Sequence, residues 1–293
     1  MKRIVFILCA LFTLTPGFSQ SYTGRFLGSW NYTDSSRAEI APITTAILGD
    51  DTLAIPIPLD GEVKFFSLDG KSLRRIMTNG ASGVAAWGKN HVVCVEHRAA
   101  RIKIFTVLGA LKKEWGAPGS RPGEFKMPSG VAVDKEGRIY VADKGNNRIQ
   151  KFNSNGDFLL EFGGKVLETP LQIASLPNGN LLVLCLSGAA LLSEFSRDGQ
   201  FVANWLTEER SPLLGSSLVT LPTGEAVVGT LDSYIAVVNR TKILGKFRCI
   251  AKSTEDALPV PSQINGLAVT PGLRLFASDL KNGRVLTFQL ERK

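Results

Sequence analysis

The chain has 293 residues, 44% of them hydrophobic and 20% charged, and a formal net charge of +8. This is enough apolar material for a sizeable core, and no stretch is polar and charged for long enough to read as disordered. The 29 glycines and 14 prolines are spread along the length, which suits many short strands separated by turns.

The first predicted segment is residues 1–20. Lys2 and Arg3 form a positive start, Ile4 to Leu14 an apolar run, and Pro16-Gly17 breaks the run before Ser19. The pattern predicts a secretory signal peptide too short to span a bilayer, hence a secreted or periplasmic protein of residues 21–293 with no transmembrane segment after cleavage. Cys9 leaves with that segment. Cys94, Cys185 and Cys249 remain, an odd count without the close spacing of a disulfide framework. Cys94 and Cys185 lie in apolar strand patterns and read as small buried hydrophobes.

From there one unit recurs at the period of a propeller blade. Its clearest copy runs from Ser129 to Phe162 and contains four strand-like segments: Gly130 to Val133, Arg138 to Ala142, Arg148 to Phe152, and Asp157 to Phe162. A phenylalanine ends the third strand at Phe66, Phe105, Phe152, Phe195 and Phe288, with Val238 in the remaining unit. Gly70, Gly109, Gly156 and Gly199 stand four residues after the first four of these, where a hairpin turn needs φ > 0. The sixth unit stops at Lys293, directly after its third strand. Gly24 to Trp30 has the register of Gly156 to Phe162 and of Gly199 to Trp205, and so is predicted to supply the missing outer strand. The expected fold is an all-β, six-bladed β-propeller of four-stranded antiparallel blades. It forms one domain over residues 21–293, with the ring closed by an N-terminal strand that completes the last blade.

The stretch from Gly119 to Phe152 resembles an NHL repeat, above all in Pro128-Ser-Gly-Val-Ala-Val-Asp-Lys-Glu-Gly-Arg-Ile-Tyr-Val-Ala-Asp-Lys-Gly-Asn-Asn-Arg-Ile-Gln-Lys-Phe152. The likeness is partial from Arg101 to Phe105 and from Ala277 to Phe288. The resemblance implies an NHL-type propeller, a family that includes RNA-binding and protein-binding modules, an amide lyase and distant lactonase-like hydrolases. Such a fold does not decide the task.

The amide-lyase resemblance implies a zinc centre with histidine ligands. The chain has only His91 and His97, about 20 Å apart on an extended strand, so they cannot share a metal and read as surface or loop side chains. The lactonase resemblance implies calcium on carboxylate and amide oxygens. The predicted starts of the inner strands, Thr44, Gly83, Gly130, Gln172, Ser217 and Asn265, form a polar ring without a carboxylate. Neither a metal nor another cofactor is therefore expected, and no catalytic residue is assigned. Glu96, Asp143 and Asp279 are each followed five residues later by Arg101, Arg148 and Arg284, which predicts an ion pair within each of three blades.

The basic residues Arg98, Arg121, Lys126, Lys144 and Lys281 fall in loops that share one face of a propeller. They predict a ligand-binding rim for a protein or an anionic glycan, with Thr44, Gln172, Ser217 and Asn265 at the channel mouth. Nucleic acid is disfavoured by the export signal and by the lack of stacking aromatics among the basic loops. Two sequons, Asn31-Tyr-Thr33 and Asn239-Arg-Thr241, are possible glycosylation sites. The leading expectation is an exported binding module that is not an enzyme; the alternative is a lyase or hydrolase acting in the channel.

Overall fold

A computed structural model describes residues 22–32, 44–49, 51–188, 190–206, 213–249, 264–279 and 282–293. The proposed signal segment and Lys281 lie outside the described residues.

The blade from Pro128 to Phe162 shows how the sequence makes each sheet. Its four strands, Pro128–Val133, Ile139–Asp143, Arg148–Phe152 and Phe158–Phe162, pair antiparallel in sequence order. The second and third are buried on both faces, which is why the second reads as a near-continuous apolar run. The fourth alternates between exposed and half-buried residues because one face meets solvent.

Six such sheets form the ring. The first blade holds Ala46–Leu48, Thr52–Ile57, Glu62–Ser67 and Ser72–Met77; the second holds Ala81–Trp87, His91–Glu96, Arg101–Thr106 and Leu111–Trp115. After the third blade, just described, the fourth holds Glu168–Ser175, Leu181–Ser187, Leu192–Phe195 and Phe201–Trp205. The fifth holds Gly215–Thr220, Ala226–Thr230, Tyr234–Val238 and Ile243–Arg248. The sixth takes Gly266–Val269, Arg274–Asp279 and Arg284–Arg292 from the C-terminal end of the chain, and its outer strand is Tyr22–Asn31.

That outer strand closes the ring as the sequence pattern predicts. Tyr22 stands opposite Arg292 and Asn31 opposite Arg284, with a bulge between Phe26 and Gly28. Phe26 packs edge-on against Phe288 at 5.5 Å, and Trp30 reaches Phe66 of the first blade at 4.9 Å. Tyr22 is buried, and its hydroxyl donates to Glu225 of the fifth blade at 3.1 Å. One strand thus ties three blades.

A second repeated device locks neighbouring blades. The residue near the end of each fourth strand, opposite the first apolar residue of the third strand, is Ile76, Trp115, Phe162, Trp205, Phe247 or Trp30. Five of these meet a glycine of the next blade: Gly109, Gly156, Gly199, Gly24 and Gly70. A Cβ on Gly156 would lie 2.8 Å from Trp115, so the ring can seat only because glycine is there. The exception is Trp205, whose neighbouring turn in the fifth blade is Asn239-Arg240-Thr241.

Strand alternation gives the disc two faces. The loops from second to third strand and the linkers between blades share one, here the linker face. The first-to-second and third-to-fourth turns share the other, the turn face. Among the described residues no helix is long and apolar enough to cross a membrane.

Candidate functional site

The linker face is organised by buried carboxylates at the ends of second strands. Asp143 accepts the backbone N–H of Lys126 at 2.7 Å through Oδ1. Its Oδ2 accepts from Arg148 Nε at 2.8 Å, Asn146 Nδ2 at 2.8 Å and Gln150 Nε2 at 3.1 Å. Arg148 then donates to the carbonyls of Arg121 and Glu124, both at 3.0 Å, while Gln150 donates to the Glu124 carbonyl and accepts the Gly123 N–H. The residues that carry the NHL resemblance therefore hold the linker that precedes their own blade. Glu96 repeats the device by accepting the Asn79 N–H at 2.9 Å.

The predicted ion pairs form at Asp143–Arg148, 2.8 Å, and Asp279–Arg284, 2.9 Å. The third forms differently. Glu96 stands opposite Arg101 in register but pairs with Lys103 at 3.0 Å, and Arg101 reaches Glu114 at 3.3 Å. Glutamate is one methylene longer than aspartate and reaches the cross-strand diagonal, two residues along the same face.

The clamped linker sets the basic residues. Lys126 is exposed, and its stem and carbonyl lie against Gly145, whose N–H donates to that carbonyl at 2.7 Å. A Cβ at Gly145 would sit 2.7 Å from the Lys126 Cγ. Arg121 is exposed and Lys144 half-buried, and neither they nor Lys126 pair with a described carboxylate. Glu124, which could have neutralised them, accepts the N–H groups of Ser120 and Arg121 through one oxygen. Arg98 is exposed on the same face.

Beside this segment stands His97, half-buried just past the end of the second strand of the second blade. Its Nδ1 lies 2.8 Å from the carbonyl of Pro128, the first residue of the inner strand of the next blade. A carbonyl can only accept, so Nδ1 carries the proton and the neutral ring keeps Nε2 as a base. Met127, between Lys126 and Pro128, holds φ at 55° and is 47% exposed. The sequence reading treated His97 as a surface or loop side chain; the Pro128 partner is 31 positions away and carries no local signal.

The residues expected at the channel mouth sew the inner strands together. Thr44 donates to the Val84 carbonyl at 2.9 Å and accepts its N–H at 2.6 Å. Gln172 is buried between the Ser216 carbonyl, 3.2 Å, and the Leu218 N–H, 2.8 Å. Ser217 is buried and donates to the Ile264 carbonyl at 2.9 Å, and Asn265 is buried on the next strand. Gly83 and Gly130 lie so close to the neighbouring inner strand that a Cβ would strike its backbone.

His91 lies at the opposite end of its strand from His97, against the Trp87 ring at 5.4 Å. Among the described residues no three His, Cys, Asp or Glu side chains converge as a metal site would require. The described residues, with His91 and His97 at opposite ends of one strand, therefore do not fit the histidine-ligated zinc centre that the family resemblance implies. Cys94, Cys185 and Cys249 are buried, and burial pushes the Cys185 thiol up to about 11 and the Cys94 and Cys249 thiols higher still. Asn31 is exposed at the last position of the closing strand; Asn239 is half-buried, with Oδ1 accepting the N–H groups of Thr241 and Lys242.

The NHL repeat family matches residues 125–152. The chain is thus an NHL-repeat-containing six-bladed propeller. Among curated proteins it is similar to the E3 ubiquitin-protein ligase TRIM32 of Mus musculus, 28% identical over 188 residues. That match covers 58% of this chain and 28% of the relative, so the chain spans well under half the length of that protein. Among solved structures it resembles a streptogramin B lyase, TM-score 0.63 at 12% identity over 92% of this chain and 98% of the other. It also resembles virginiamycin B lyase from Staphylococcus aureus, TM-score 0.61 at 14% identity over 92% and 99%. At these identities the likeness is one of fold. It nonetheless overturns the expectation of a chain that is not an enzyme to this extent: propellers that superpose on 92% of its length include lyases.

Proposed function

We propose that the chain is an exported propeller enzyme of lyase or hydrolase type that takes an anionic substrate, such as an acidic glycan, at the channel mouth of the linker face. The observation that carries this reading is the His97–Pro128 hydrogen bond of 2.8 Å, which fixes the ring through Nδ1 at Pro128, two residues along the chain from Lys126, and leaves Nε2 outside that bond. A general base needs its tautomer and ring orientation set by the other nitrogen. In a lyase, Nε2 takes the proton α to a substrate carboxylate, the electron pair forms a double bond as the β C–O bond breaks, and the departing oxygen takes that proton back from Nε2 and leaves as the alcohol. In a hydrolase, Nε2 takes a proton from water as the water oxygen bonds to the substrate's electrophilic carbon, and passes that proton to the leaving group as its bond to the same carbon breaks. In either case Lys126, Lys144 and Arg121 neutralise the substrate's negative charge. The lyase names among the fold neighbours and the basic rim support the reading. Export rests on the pattern of residues 1–20.

The test is a panel of acidic polysaccharides, lactones and cyclic peptides incubated with the mature chain, with products read by mass spectrometry. Turnover of at least one is expected, and His97→Gln should abolish it, because glutamine keeps a hydrogen-bonding group but cannot carry the proton. Full activity in His97→Gln, or substrates captured but never converted by the wild type, would remove the reading.

A further inference from the structure

The locking device described above is interrupted once. At the boundary between the fourth and fifth blades, Trp205 finds no glycine to rest on. The Leu206 N–H instead donates to the Arg240 carbonyl at 2.9 Å, and Trp205 directs its Nε1–H into the Glu194 carboxylate at 2.9 Å. A cleft of about 420 Å³ opens there, on the side of the turn face, away from His97. That size lies within the range of small-molecule sites, roughly 300–1,000 Å³.

The floor of the cleft is built. Glu194 is 1% exposed and accepts from Asn180 at 2.7 Å, Trp205 and Arg240 at 2.6 Å. Burial works against its charge, but these three donors outweigh burial and hold its carboxyl below the usual range. Arg240 is half exposed, and one of its nitrogens is spent on Glu194. Glu225 stands on the opposite wall, where it accepts from Tyr22 and Thr223. Pro177 and Asn178 complete the rim.

The chemistry of the lining selects a class of ligand. Glu194 and Arg240 cancel, leaving Glu225, so the wall is net negative and does not suit an anion. Carboxylate, amide and guanidinium groups carry the side-by-side acceptors and donors that vicinal hydroxyls need. Pro177 is exposed, with the buried Leu176 and Trp205 behind it, and supplies apolar surface for the C–H face of a pyranose. From these features we infer that the cleft between the fourth and fifth blades binds a neutral saccharide of one or two rings. The inference does not depend on the enzymatic reading, which concerns the other face.

The experiment uses the whole mature chain made in a host that does not glycosylate, so that Asn239 is bare. Neutral hexoses, N-acetylhexosamines and their disaccharides are titrated by calorimetry, with tryptophan fluorescence as a second readout. At least one is expected to bind saturably with Kd on the order of millimolar. Thr223→Trp fills the cleft from an exposed turn position and should weaken binding roughly tenfold or more, with a cooperative thermal transition retained. Arg240→Gln should weaken it as well, whereas His97→Gln should leave it intact. Absence of saturable binding across the panel, binding indifferent to both cleft variants, or preference for a uronate over its neutral hexose would each overturn the inference.

Discussion

The third and fifth blades have the same four strands and different ways of holding their loops. In the third, the buried Asp143, Arg148 and Gln150 reach outside their own hairpin and fix the linker from the second blade. In the fifth, Thr230 occupies the matching place at the end of the second strand. Its hydroxyl contacts Asp232 and Tyr234, all within one loop. The strands form either way because apolar residues and turn geometry make them. The NHL signature residues add something separate, a polar clamp between blades. Family likeness is accordingly strong where the clamp is, over residues 125–152, and fades where a hydroxyl replaces it. The clamp also sets Lys126 and Pro128, and through Pro128 it sets His97.

The largest effect should come from a change that removes the difference between the two blades altogether. Deleting residues 22–31 takes away the outer strand of the sixth blade and the Tyr22 contact to the fifth. Both blades are then expected to melt together, with loss of the cooperative thermal transition; an unchanged melt would refute closure by that strand. Next in size is the clamp itself. Asp143→Ala leaves Arg148 buried without its partner and should cost about 3–5 kcal/mol, whereas Thr230→Val should cost about 1 kcal/mol in the same denaturant titration. Equal losses would show that the clamp adds nothing beyond a loop hydroxyl.

A smaller effect should appear with pH. Asp134, Glu194 and Glu225 are each held below the ordinary carboxylate range: burial opposes this, and hydrogen bonds from Arg138 and Tyr140, from Asn180, Trp205 and Arg240, and from Thr223 and Tyr22 outweigh it. A depressed folded-state pKa contributes stability above the unfolded value, and that stability is lost as pH falls through the folded value. The denaturation midpoint should therefore fall on acidification below about pH 4. Glu194→Gln should flatten part of that fall, chiefly for the fourth and fifth blades. The smallest effect on stability, within about 0.5 kcal/mol, is expected for Lys126→Glu with Lys144→Glu, since neither side chain is ion-paired among the described residues. The same pair should sharply weaken capture of an anionic substrate, and if capture is unchanged the basic face has no part in it.

Much of the architecture was legible in the amino-acid order. Phenylalanines at or near the ends of third strands, except Phe288 within the longer Arg284–Arg292, and glycines four residues after the first four of them report a two-residue strand period and a turn that needs positive φ, and both are local requirements. Counting strands showed that the sixth blade lacked one, and the register of Gly24 to Trp30 showed where it was. The Asp143–Arg148 and Asp279–Arg284 pairs followed from a fixed offset across a short hairpin. Other features arise only where separate blades meet. Glu96 takes Lys103 because a longer side chain reaches a diagonal neighbour. Thr44, Gln172 and Ser217 spend their polar atoms on the next inner strand. His97 gains a fixed ring position from a carbonyl in another blade, and the cleft beside Trp205 lies where the turn of the next blade offers no glycine. Periodicity along a chain determines which residues form each sheet. The ring determines which sheets touch, and its contacts decide which side chains remain available for chemistry.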